Sequence, residues 1–218
     1  MLKGILLVLF GACSFGILST FVKLAYGEGY TLGDVTGTQA LFGAILLWSI
    51  YLVQRATQSD EKPKPIIKTH WIKLVLAGTF TGLVSLTYYQ CVKLIPASVA
   101  IILLMQFVWI SVLLEFIFFK KKPNSLQVFA IIMILLGTIA ASGYFEQSAA
   151  TLNIVGIGYG LVAALCYAIF LMLNGNLGNE YPPLQKSALM ITGACILIFL
   201  VLPPTFLFNG ALGGRLLK

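Results

Sequence analysis

Of the 218 residues, 59% are apolar and 10% are charged, and the mean hydropathy is +0.97. Soluble domains carry about 25% charge, so this chain cannot cover a water-facing surface. The formal charge of +7 would suggest nucleic acid for a soluble protein. Here the lysines and arginines lie between apolar runs, where they act as topology signals, and the partner implied is a lipid bilayer, not nucleic acid.

Crossing roughly 30 Å of hydrocarbon takes about 20 apolar residues as a helix, and about seven segments of this kind fill the sequence. The expectation is an all-α, polytopic helix bundle. A first span runs from about Leu2 to Ala25, and Gly27, Glu28 and Gly29 break it. Lys3, the run to Phe10 and the small residues before Cys13 imitate a cleavable signal, but the apolar stretch continues through Phe15, Phe21 and Val22. That length predicts a spanning helix.

A second span covers Asp34 to Gln54, with Asp34 as its candidate cap. Arg55 to His70, rich in lysine and proline, reads as a hydrophilic loop. The third span is Trp71 to Val92, and Pro96 forces a tight connection to a fourth that ends at Phe119, before Lys120, Lys121 and Lys122. Leu126 to Ser142 forms the fifth, Ile154 to Leu173 the sixth and Gln185 to Phe208 the seventh.

Positively charged short links stay on the cytoplasmic side. An inside N-terminus places Arg55, Lys62, Lys64, Lys68, Lys73, the Lys120 to Lys122 triplet and Lys186 there, in the cytoplasmic membrane, while Lys23, Lys93, Arg215 and Lys218 dissent. Laying the sixth span on the first pairs Gly4 with Gly156, Leu9 with Leu161, Ala12 with Ala164 and Phe15 with Tyr167. If five helices make one unit, its copy is inverted, the plan of many transporters. The domains expected are a first five-helix repeat over residues 1–143 and a partial second over 152–218.

Small residues four apart let helices approach closely in lipid. Gly156, Gly160, Ala164 and Ala168 form such a stripe, as do Gly78 with Gly82 and Gly137 with Ala141. All four cysteines, Cys13, Cys91, Cys166 and Cys195, sit in apolar runs and read as small buried hydrophobes. With no CxxC pair or His/Cys cluster they suggest no metal, and no cofactor is implied.

Polar residues at membrane depth face a neighbouring helix or a water-filled cavity. Thr81, Ser85 and Tyr88, at i, i+4 and i+7 with Tyr89 beside them, make a polar strip that either lines a cavity or bonds helices together. Gln106, mid-span, and Trp109 on the same side are the best single site candidate, the alternative being an amide that pins two helices. Glu115 is either a coupling carboxylate or a snorkelling one near the lysine triplet. His70, the sole histidine, has no GxSxG serine, paired carboxylates or phosphate loop to work with, so an enzyme is not expected.

Tyr88 to Gly137, with Leu94-Ile95-Pro96-Ala97-Ser98 followed by Ala100 and later Gln127, and the opening Gly11, Phe15, Gly16 and Lys23, resemble the EamA family of the drug/metabolite transporter superfamily. The resemblance implies a ten-helix unit of two inverted five-helix repeats with a central pathway, and so a chain that lacks the last three helices. It places substrate-binding residues at Ser14, Thr81, Ser85, Tyr88, Tyr89, Gln106, Trp109 and Tyr167. The function it implies is movement of a small organic metabolite, such as an amino acid, by alternating access. A truncated, non-transporting fragment or scaffold is the alternative, and the reading leaves room for a homo-oligomer.

Overall fold

The computed structural model describes residues 2–57, 68–141 and 153–204. Within them lie eight helices: α1 (Leu2–Gly27), α2 (Leu32–Thr57), α3 (Lys68–Leu94), α4 (Ala97–Met105), α5 (Phe107–Phe119), α6 (Ser125–Ala141), α7 (Ile154–Asn176) and α8 (Pro183–Val201). Six stretches are long and apolar enough to cross a membrane, with α4 and α5 together making one of them, and α6 is a shorter apolar helix. The protein is a polytopic helical membrane protein, as its composition requires. The hydrophilic link 58–67, the link 142–152 and the tail 205–218, which includes Arg215 and Lys218, lie outside the described residues.

Local chemistry sets the helix ends. The Thr31 backbone N–H donates to Asp34 Oδ2 at 2.8 Å, and the Asp34 backbone N–H donates to Thr31 Oγ1 at 3.3 Å. This reciprocal capping box makes Thr31 the cap and places Asp34 in the first turn, a correction to the expected cap. Asn153 caps α7, its Oδ1 accepting from the N–H groups of Val155 and Gly156. The seventh span stops at Val201, short of the expected Phe208, because Pro203 and Pro204 supply no N–H donors to continue it. His70 lies in the first turns of α3 and not in the preceding loop.

Helix α3 is the centre of the bundle, packed along α7 and α8, while α2 lies on α8 and α5 on α7. Lipid offers helices no hydrophobic drive to associate, so the approach of backbones carries the packing. A Cβ on Gly78 would collide with the Met190 carbonyl, and one on Gly193 with the Val75 carbonyl, so α3 and α8 cross backbone to backbone at two glycines. On the other flank, a Cβ at Gly156 would sit 2.7 Å from Ile95 Cγ2, and one at Gly160 would sit 2.9 Å from Leu103. Gly156, Gly160, Ala164 and Ala168 are all buried, as the small-residue stripe predicts.

Other stripes fare differently. Gly137 has nothing within contact distance of its missing Cβ, so α6 carries no seam at that point among the described residues. The N-terminal half of α1 stands off the bundle too, which leaves Cys13 exposed and open ground around Gly4, Gly11 and Gly16. Cys91 and Cys195 are buried as expected, and Cys195 Sγ donates to the Ala40 carbonyl at 3.1 Å.

The dissent of Lys23 from the charge pattern has a structural reason. Its ammonium donates to the carbonyls of Val92 at 2.8 Å and Ile95 at 3.2 Å, groups at the end of α3 that have no partner further along that helix. This lysine clamps α1 to the end of α3.

Gly193→Val should lower the unfolding free energy in detergent by about 2 kcal/mol or more, the usual cost of overpacking a tight contact. Gly137→Val should change it far less, and thermal unfolding of the two purified variants would compare them.

Candidate substrate site

The polar strip of α3 divides by partner. Ser85 Oγ donates to the Thr81 carbonyl of its own helix at 3.2 Å. Tyr89 donates its hydroxyl to Gln39 Oε1 on α2, and its carbonyl accepts from the Tyr26 hydroxyl of α1 at 3.2 Å. Tyr89 is therefore an interhelical tie joining α1, α2 and α3. Thr81 Oγ1 and the Tyr88 hydroxyl are buried with no hydrogen-bond partner among the described residues. Buried Ser19 of α1 approaches the Tyr88 hydroxyl, but not in hydrogen-bonding geometry.

These two hydroxyls stand seven residues apart on one helix face, roughly 10 Å along the axis. An unsatisfied buried hydroxyl costs about 1–3 kcal/mol, which marks the pair as candidates to bond a polar solute.

Gln106 and Trp109 come together as their spacing suggests, but with each other. The Trp109 indole N–H donates to Gln106 Oε1 at 2.9 Å, and Gln106 Nε2 donates to the Ile102 carbonyl at 3.1 Å. The expected continuous fourth span is broken at this residue. The Gln106 backbone N–H turns to Leu103 O, three residues back, and the side chain takes up the Ile102 carbonyl that a regular helix would assign to that N–H. Among the described residues the amide thus mends its own helix and bonds to no second one.

Trp109 also borders an apolar groove of about 350 Å³ between α5 and α6, with Val112, Phe116 and Ile131 among its walls. Tyr167 on α7 sets its ring edge-on to Phe107 at 4.6 Å and stacks with Phe170 at 6.2 Å. Ser14 is exposed on the half of α1 that leaves the bundle. Glu115 is partly buried on α5 and forms no ion pair among the described residues.

The side of α1 that does meet α3 carries Ser19, Lys23 and Tyr26, at i, i+4 and i+7. That period was available in the sequence as a polar stripe on an apolar helix. Its neighbour Ser14 lies off this stripe.

The EamA-like transporter family model matches residues 2–143. The chain is also similar to the uncharacterized transporter YcbK of Bacillus subtilis (strain 168), 28% identical over 196 residues that cover 88% of this chain and 60% of that protein. The chain thus spans 60% of the length of the curated relative it matches. No solved structure matches it.

The two tyrosines make the division testable without any substrate. Tyr89→Phe should destabilise the purified protein by about 1 kcal/mol, the worth of the lost hydrogen bond, and so lower its melting temperature. Tyr88→Phe, which removes a hydroxyl with no hydrogen-bond partner among the described residues, should leave it unchanged or raised.

Proposed function

Because the chain belongs to the EamA-like transporter family, we propose that it moves a small organic metabolite across the cytoplasmic membrane by alternating access between a five-helix repeat and its inverted partner. The observation that carries this reading is the pair of buried, unpartnered hydroxyls on α3, Thr81 and Tyr88. They lie on α3, which packs against α7 and α8 as well as α1, and that shared position supports a solute site between the expected repeats. Transporters of inverted-repeat design place their substrate at that junction.

Thr81, Tyr88 and nearby Ser19 offer donors and acceptors without fixed charge, which suits a polar metabolite such as an amino acid. Ser85 and Tyr89 hold the strip in place, and Tyr167 with Phe107 supplies an aromatic wall on α7. Gln106 acts by fixing the break between α4 and α5, where Trp109 locks its amide. Ser14, standing off the bundle, joins the pathway only if α1 closes on it. The basic ends of α2 with Arg55, α3 with Lys68 and Lys73, α5 before the Lys120 to Lys122 triplet and α8 with Lys186 face the cytoplasm, with the N-terminus on the same side. The work is transport and not catalysis.

A second reading, a membrane fragment that does not transport alone, is favoured by one observation: the matched relative extends well beyond the length covered here. Flux separates the two. Proteoliposomes holding this chain should exchange labelled amino acids or related metabolites above empty vesicles, and Tyr88→Phe should cut that flux about tenfold, the worth of one lost hydrogen bond to the solute, while the fold stays intact. Flux that appears only with a longer chain carrying further helices would favour the fragment. Where flux is driven by a proton gradient, Glu115→Gln should abolish that dependence if the carboxylate carries the proton. Full dependence in that variant would remove Glu115 from the mechanism.

A further inference from the structure

We propose that His70, Glu180 and Tyr181 form a proton-responsive latch that fastens the start of α3 to the turn between α7 and α8. The turn is seated on α3 by shape. Gly178 has a φ of +65°, a conformation that L side chains rarely adopt, and a Cβ there would press 2.9 Å from Leu74 Cδ2. Tyr181 is buried against Leu74 in the same apolar cluster as Ala77 and Leu189. The rim of this contact is polar, and a cavity of about 120 Å³ opens there among His70, Lys73, Asn176 and Glu180.

His70 Nδ1 stands 2.8 Å from Glu180 Oε1 and 3.2 Å from the Tyr181 hydroxyl. One nitrogen cannot serve both in the same way. As a bare lone pair it accepts from Tyr181 and is repelled by the carboxylate; carrying a proton, in the neutral Nδ1–H tautomer or in the imidazolium, it donates to Glu180, and only the imidazolium makes that contact an ion pair. Histidine is the side chain whose ordinary charge change falls near neutral pH, so solution acidity sets whether the contact with Glu180 is ionic. The imidazole and carboxylate side chains are 40% and 47% exposed, which keeps the pair weak but lets protons exchange with water.

Other charges share the site. Lys73 lines the cavity, and Lys186 at the start of α8 is held by the Asn174 carbonyl and by Asn179 Oδ1, within the field of Glu180. Lys73 and Lys186 are thus the cationic neighbours of Glu180 at this rim, and the imidazole is the side chain there whose type ordinarily changes charge near neutral pH. The latch gains a full ion pair as pH falls through the histidine range and loses it as pH rises. Because α3 belongs to the first half and α7 and α8 to the second, on the transport reading the latch would bias that end of the bundle toward the closed state. The latch itself does not require that reading.

Hydrogen exchange of the purified full chain in nanodiscs, followed by mass spectrometry on peptides covering residues 174–182, tests this without any flux. Corrected for intrinsic exchange rates, protection of the turn should rise about two- to fivefold between pH 8 and pH 5.5, the range an exposed pair yields. His70→Gln and Glu180→Gln should each flatten that response, and His70→Lys should give high protection at both pH values. A wild type that does not respond, a response that survives in His70→Gln, or a His70→Lys protein that exchanges like His70→Gln would each overturn the latch.

Discussion

The bundle rests on two places where backbones touch because side chains are missing: Gly78 of α3 against the Met190 carbonyl, and Gly193 of α8 against the Val75 carbonyl. Inside a bilayer, leucine gains nothing by leaving lipid for protein, so greasy surface cannot hold helices together as it does in water. Dispersion between closely packed backbones can, and it falls off steeply with separation. From this crossing follow the seating of α2 on α8, with Trp48 Nε1 donating to Thr192 Oγ1 at 3.0 Å, and the burial of Met190, Ala194 and Ile198. The glycine and alanine stripe of α7 does the same work on the opposite flank of α3, taking in Ile95 and Leu103. Helix α3 is thus a shared element, held by the second half of the chain more closely than by its own neighbours α1 and α2.

Polar groups then settle where that packing leaves them. Tyr89 and Lys23 are used to tie α1 and α2 to the edges of α3, and both find partners on carbonyls or amides of other helices. Ser85 and Gln106 satisfy carbonyls of their own helices. Thr81 and Tyr88 are the exceptions, buried without partners. Both sit on α3, the helix that packs along α7 and α8, and on the transport reading proposed above they are the groups that would meet a solute.

Much of the fold is legible from residue order, because a spanning helix leaves an unmistakable run of apolar residues and because charges concentrate between runs. The stripes at Gly78 and at Gly156 were equally readable, since small residues four apart have one obvious use in lipid. Gly137 shows the limit: the same spacing packs only where another helix arrives, and no pattern within one helix reveals that. The break at Gln106 was hidden since glutamine is not a helix breaker; its amide supports a gap that proline or glycine would have announced. The seventh span ends at Val201 and not at Phe208 because the apolar run continues past Pro203 and Pro204, which hydropathy alone does not mark as a stop. On the candidate site, the i, i+4, i+7 strip of α3 was visible, but which hydroxyls have partners depends on helices far away in sequence. The meeting of His70 with Glu180, 110 residues apart, carries no local signal at all.

The account stands on α3 being gripped by α7 and α8 through packing alone, with no need of the peptide link between the halves. Cutting the chain in that link, between Gly143 and Asn153, and producing the two pieces together in one membrane measures this directly. An affinity tag on the first piece should then bring down the second in equal amount from detergent extracts. Recovery of the first piece by itself, with the second left free in the same membranes, would contradict the arrangement.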